Sequence, residues 1–467
     1  MWIPMKFRED DGMNYSDLQY LSVPLPEDLS KLKGFGDFAR MERVIDKKLQ
    51  NAALPKALRA RLMLEKELIR RLPDEYPYSA DEALQQLREC FGEFSEEELD
   101  ELRDADAVEW AYINGEPKFF VRFLSNLVMT RKAYADRLTA AGRAKYPAGD
   151  KAQRIAAIHK MKAQGALNMR LHIKSTMQIT PDAAHKGQPV TAYLPIPIPY
   201  AQVENVRILD VTPKDTLIAP KEHPQRTAIF RAVPSDTPFS VEYTYETHMR
   251  YVEPDPAHVA DSQPTFYTEE LPPHIRFTPY LRSLTAEIVG EEKNPLLKAR
   301  KIYDFVTTKA IYSLMREYYT MPMITEFIGT SLKGDCGVQA LLFITLCRIV
   351  GVPARWQSGL YTEPGDVGSH DWAQFYVAPY GWLFADPSFG GGGYRDGDME
   401  RWNFYFGNLD PYRMPANSEY QHEFFVPTRF MRYDPYDNQQ GEAEYEDMPV
   451  ARKDCHVTHE LLECAEI

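Results

Sequence analysis

Apolar residues recur at helical spacing through the first 165 residues. DFARMERVIDKKLQN, PKALRARLMLEKELIRR and SADEALQQLREC each lay them along one stripe of a 3.6-residue period, which predicts amphipathic helices. Ser95 with Glu98 is a capping-box signature for a further acidic helix. Asn114-Gly115 between apolar runs predicts a short hairpin. LVMTRKAYADRLTAAG and KAQRIAAIHKMKAQG predict the last two helices of this region. Near Leu167 the period drops to two. MRLHIKSTMQIT, VTAYLPIPIPY, ENVRILDVT, RTAIFRAV and FSVEYTYETHMRYV alternate apolar and polar residues between proline, glycine and aspartate clusters, as the strands of a β-sandwich do. The prolines of Ile196-Pro197-Ile198-Pro199 place that run at a sheet edge. A proline-rich linker, EPDPAHVADSQPTFYTEELPPH, follows and is expected to lie over a cleft of the next domain. The division expected is a mainly helical domain at 1–165, a β-sandwich at 166–255, a core at 256–436 and an acidic tail at 437–467 whose QQGEAEYEDMP reads as disordered, in an α+β chain.

The chemistry concentrates in the core. Cys336 follows a Gly-Asp turn and opens VQALLFITLCRIV, a helix-length apolar run closed by Gly351 and Pro353. A sulfur in the first helical turn lies at the positive end of the helix dipole, which favours thiolate. SHDWAQFYV and GWLFADPS then read as two strands of a hairpin. If Val377 pairs with Gly381, the residue opposite His370 is Ser388, and Asp386 lies one diagonal step away, roughly 7 to 8 Å between backbones. Cys336 as nucleophile, His370 as base and Asp386 as its orienter make the constellation of acyl transfer. Trp372 is a candidate shield for the thiolate, and Cys347, three turns along the helix, is read as packing.

GDCGVQALLF, the helix exit GVPAR, the pair HDW and a strand ending in DPS resemble the core motifs of the transglutaminase-like superfamily. The resemblance extends upstream to about Thr278, over TPYLRSLTAEIVGEEKNPLLKARKIYDFVTTKAIYS, and covers about a third of the chain. It implies a papain-like, transglutaminase-like fold for the core and the triad Cys336, His370 and Asp386. Asp371 departs from the pattern, because many relatives carry a small residue there; it puts a second acid beside His370 and unsettles the pH optimum.

The net charge of -14 argues against phosphate-backbone binding, so nucleic acid is not an expected partner. Five scattered cysteines do not make a disulfide framework. No run approaches 18 apolar residues and the N-terminus lacks a signal-peptide pattern, so no membrane association and a cytoplasmic location are expected. CHVTHELLEC carries Cys455 and His459 four apart, a weak metal pattern, and no paired CxxC occurs; no metal and no cofactor are expected. Gly390 to Gly393 is read as a flexible cleft wall behind Asp386.

The reaction expected is attack of the Cys336 thiolate on an amide of a peptide or protein, with the Cys336 N–H and one of Tyr312, Tyr318 or Tyr319 holding the oxyanion. Water resolves the acyl-enzyme in a cysteine hydrolase. An amine resolves it in a protein-glutamine transglutaminase, and a deamidase is the related alternative. A core that has lost turnover and serves as a binding scaffold is the remaining class.

Overall fold

The computed structural model of the chain describes residues 15–146 and 151–467. Helices Phe38–Leu49, Lys56–Glu75, Ala80–Phe91 and Glu96–Asp104 follow the periodicity. The reciprocal capping box forms at Ser79 and Glu82. Ser95 accepts from the Glu98 N–H at 3.2 Å, but the Glu98 carboxylate turns instead to Tyr134 and Arg137. Asn114 and Gly115 both take positive φ, and the hairpin pairs Trp110 with Phe119 and Ile113 with Glu116.

The β domain consists of two four-stranded antiparallel sheets. Ala166–Ile179 and Phe239–Arg250 form the centre of one, and Val190–Pro195 and Thr227–Ala232 the centre of the other. The expected acidic tail is not a tail. Cys455–Glu466 pairs along Ala166–Ile179, and Glu442–Glu444 pairs with Val190–Pro195, so the chain's end completes both sheets. Alternation in CHVTHELLEC is the signal of that strand, and it puts His459 Nδ1 2.8 Å from Ser175 Oγ rather than in a helical metal site. The added strand also makes Val190–Pro195 an inner strand, and Ile196 and Ile198 leave the sheet to bond Arg226 and Pro415 of neighbouring segments.

The core is a five-stranded antiparallel sheet ordered Phe406–Gly407, Gly381–Ala385, Asp366–Val377, Ala354–Glu363, Arg413–Asn417. Helix Cys336–Ile349 packs against Asp366–Val377 and Ala354–Glu363, and helices Pro279–Val289, Pro295–Lys309 and Ile324–Ser331 surround it. Every residue from Cys336 to Arg348 is buried, as in a helix that is apolar all round. The β domain docks on the core through Gln202 Nε2 to Gln357 Oε1 at 3.1 Å and Tyr245 Oη with Thr362 Oγ1 at 3.0 Å. The linker does not cross a cleft: Gln263 and Phe266 pack it against Ala378, Tyr376 and Trp382 at the hairpin turn. Among the described residues no helix is long and apolar enough to cross a membrane.

Candidate active site

Asp335 caps the buried helix by accepting from the Val338 N–H at 3.1 Å, which makes Cys336 the first helical residue. The residue is 8% exposed. The thiol donates to Asp371 Oδ2 at 3.3 Å, and the Tyr312 phenol is within hydrogen-bonding range of the sulfur. Burial pushes the Cys336 thiol well up, and the carboxyls of Asp371 and Asp335 push it further. The helix-dipole expectation of a thiolate is therefore outweighed in this arrangement. Its first turn faces two acids and no base.

The hairpin register is the expected one, with Val377 opposite Gly381 and Ala373 opposite Ala385. The ladder stops there, and Asp386 leaves the strand to cap helix Pro387–Arg395, accepting from the Phe389 N–H at 3.0 Å. The glycine run thus forms helix and not a flexible loop. Glycine is needed at Gly390, where a Cβ would press on the ring carbon bearing the Tyr303 hydroxyl at 2.8 Å. Asp386 Oδ2 lies 2.7 Å from His370 Nε2 and 3.1 Å from Arg413 Nη2, and Ser388 Oγ donates to Oδ1 at 3.1 Å. Burial would raise the Asp386 carboxyl, but His370 and Arg413 hold it well below the usual carboxylate range. Burial lowers His370 despite Asp386, so the ring is neutral near pH 7. With Nε2 engaged, no hydrogen bond among the described residues occupies Nδ1.

The structure therefore joins His370 to Asp386 but gives Cys336 to Asp371. His370 and Asp371 are consecutive on one strand and leave it on opposite faces. Asp371 shares the helix-facing side with its pair partner Ser358 and with Trp356. His370 shares the other side with Trp372, whose Nε1 donates to Gln357 at 2.5 Å. Trp372 is fully buried there and does not shield the sulfur. Of the three tyrosines, Tyr312 is at the sulfur, Tyr318 Oη donates to Asp335 Oδ1 at 2.6 Å, and Tyr319 Oη bonds Leu64 O at 2.8 Å, away from the site. Cys347 is buried packing.

A strap at 431–442 covers this place, its second half lying in the stretch expected to be an acidic tail. Gln439 Nε2 donates to His370 O at 3.0 Å and to Asp371 Oδ1, and Asp437 hydrogen-bonds Asp371. Arg71 of the N-terminal domain anchors the strap by donating to Tyr433 O and Arg432 O, each at 2.6 Å. Contacts across more than 350 residues leave no local pattern; the aromatic and proline content of 431–442 was its only mark.

Residues 282–387 match the sequence model of the transglutaminase-like superfamily. The uncharacterized protein YebA of Bacillus subtilis is 24% identical over 129 residues, which cover 24% of this chain and only 17% of that protein. A candidate cysteine protease from Cytophaga hutchinsonii has a solved structure 18% identical, with a TM-score of 0.38, covering 64% of this chain and 91% of its own. The periplasmic domain of TgpA from Pseudomonas aeruginosa is 15% identical with a TM-score of 0.28, covering 53% and 95% respectively. The chain thus carries, over residues 282–387, a domain of the transglutaminase-like superfamily.

Proposed function

We propose that this chain is a thiol-dependent acyl-transfer enzyme acting on amide bonds of peptides or proteins, with Cys336 as nucleophile, His370 as base and acid, and Asp386 as orienter. The observation that carries the reading is the His370–Asp386 pair at 2.7 Å, fixed by Arg413, with Nδ1 left open for a thiol proton. In turnover, the Cys336 thiol leaves Asp371 on the helix-facing side of the strand and has to reach, on the other side, His370 Nδ1, which takes the proton as sulfur adds to the amide carbon. The C–N bond then breaks, His370 returns the proton to the departing amine, and water releases the acyl group. Hydrolysis is favoured over transfer to an amine or glutamine deamidation. The substrate is polypeptide, held without metal, nucleic acid or membrane, in the cytoplasm.

A second reading has one observation in its favour, the Cys336 thiol donating to Asp371 and not to His370. In it the domain binds polypeptide without turnover. The two separate when full-length protein and its Cys336→Ala and His370→Ala variants are incubated with glutamine-containing peptides, with and without a primary amine, and products are weighed by mass spectrometry. Cleaved peptide that disappears in both variants supports the enzyme. An amine adduct or a deamidated glutamine moves the reading to transfer or deamidation, and no product from any peptide supports the scaffold.

A further inference from the structure

The family pattern leaves room for a small residue where this chain has Asp371, and the structure shows what the carboxyl does there. Its Oδ2 receives the Cys336 thiol, and its Oδ1 receives the Gln439 amide of the strap. Asp437, also of the strap, hydrogen-bonds it as well. Gly337 leaves room for this convergence, because a Cβ there would collide with the Tyr318 hydroxyl and lie 2.7 Å from Asp371 Oδ2 and 2.9 Å from the Trp356 ring. The strap is itself held from the far side by Arg71, and Asn438 and Asn417 exchange hydrogen bonds at 3.0 and 3.2 Å.

Resting on the reading above, we infer that Asp371 is a positioning residue that holds the Cys336 thiol away from His370, and that Gln439 and Asp437 of the 431–442 strap hold Asp371 in that place. The thiol hydrogen is directed at a carboxyl on the helix-facing side of the strand, whereas the imidazole lies on the other. While that contact persists, the sulfur has no base. The groups facing the pair are acidic or weakly acidic on each side: Asp335 and Tyr312 from the helix entry, Tyr318 beside Asp335, and Asp434 and Asp437 from the strap. Burial and these neighbours raise Asp371 and Asp437 together, so the pair retains protons near neutrality and the sulfur loses its own only with difficulty. A polypeptide that reaches the sulfur has to displace Gln439 first. The strap therefore couples substrate entry to thiol release.

The test is the rate of iodoacetamide alkylation at Cys336 in the full chain, read by peptide mapping from pH 6 to 9 with Cys464 as internal reference. Asp371→Asn keeps the shape and offers N–H to a thiolate. It is expected to speed labelling about tenfold at neutral pH and to move the pH midpoint down, as one unit of thiol pKa does. Gln439→Ala is expected to act in the same direction with a smaller gain, and it carries the test if the first variant fails to fold. Labelling no faster than wild type in a folded Asp371→Asn protein, or in Gln439→Ala alone if the first is unfolded, overturns the inference. His370→Ala distinguishes the two proposals. If it leaves labelling unchanged in the Asp371→Asn background while that background is fast, the base assignment fails and the positioning role stands. If it slows wild type while Asp371→Asn does nothing, the reverse holds.

Discussion

The two sides of strand Asp366–Val377 hold the same residue type at the same depth and treat it in opposite ways. On one side Asp386 stands between His370 and Arg413, and Arg413 reaches on to Asp410 at 2.9 Å. Each charge there meets its opposite, and the acid is held ionised. On the other side Asp371, Asp437 and Asp335 surround a thiol; burial raises all three, and neighbouring carboxyls raise Asp371 and Asp437 further. Burial alone does not decide the protonation of a carboxyl; the partner does. One side thus holds its acid ionised beside the His370 ring, whereas the other holds acids with raised pKa beside the Cys336 thiol.

The comparison breaks most visibly at Asp386. Asp386→Ala leaves the His370 ring without its partner, takes one of the two carboxylates from buried Arg413, which keeps Asp410, and removes the cap of Pro387–Arg395, so a loss of about 3 kcal/mol is expected in urea unfolding. A loss below about 1 kcal/mol would mean that the paired side is not held by its charges. Gly337→Ala probes the other side by crowding. Its methyl group meets the Tyr318 hydroxyl first, then the Asp371 carboxyl and the Trp356 ring, for an expected cost of about 1–3 kcal/mol by thermal melting. An unchanged melting temperature would show that the acidic side gives way easily.

Much of the core was legible in the sequence because its signals are local. The buried helix, its exit at Gly351, the Val377–Gly381 register and the Asn114-Gly115 turn all follow from runs of fewer than twenty residues. The His370–Asp386 contact followed from that register, although Asp386 reaches the ring as a helix cap and not as a strand neighbour. What could not be read was which face each side chain takes relative to the helix. Alternation assigns His370 and Asp371 to opposite sides, but only the packing of Cys336–Ile349 says which side holds the sulfur. The anchoring of the strap by Arg71 and the closing strand Cys455–Glu466 could not be read for a related reason: the partners lie hundreds of residues away.

The finest test of the comparison is thermodynamic. Asp371 has a folded-state pKa raised above that of the unfolded chain, chiefly by burial. Between the two values the folded protein keeps a proton that the unfolded chain releases, so this residue's contribution to stability falls as pH rises. Asp371→Asn removes the linkage while keeping an acceptor for Gln439. Urea unfolding of the variant and wild type is expected to agree near pH 4, and the variant is expected to gain about 1 kcal/mol or more by pH 8, a unit of pKa difference being worth about 1.4 kcal/mol. Asp386 has the opposite sign. Its depressed pKa makes its contribution complete at neutral pH and lost only on strong acidification, so Asp386→Asn is expected to be less stable than wild type at pH 7, with the gap narrowing as pH falls. Two buried aspartates on opposite sides of strand Asp366–Val377, neutralised by the same substitution, are thus expected to shift stability in opposite directions at neutral pH. Shifts of the same sign would show that the two sides share one electrostatic environment.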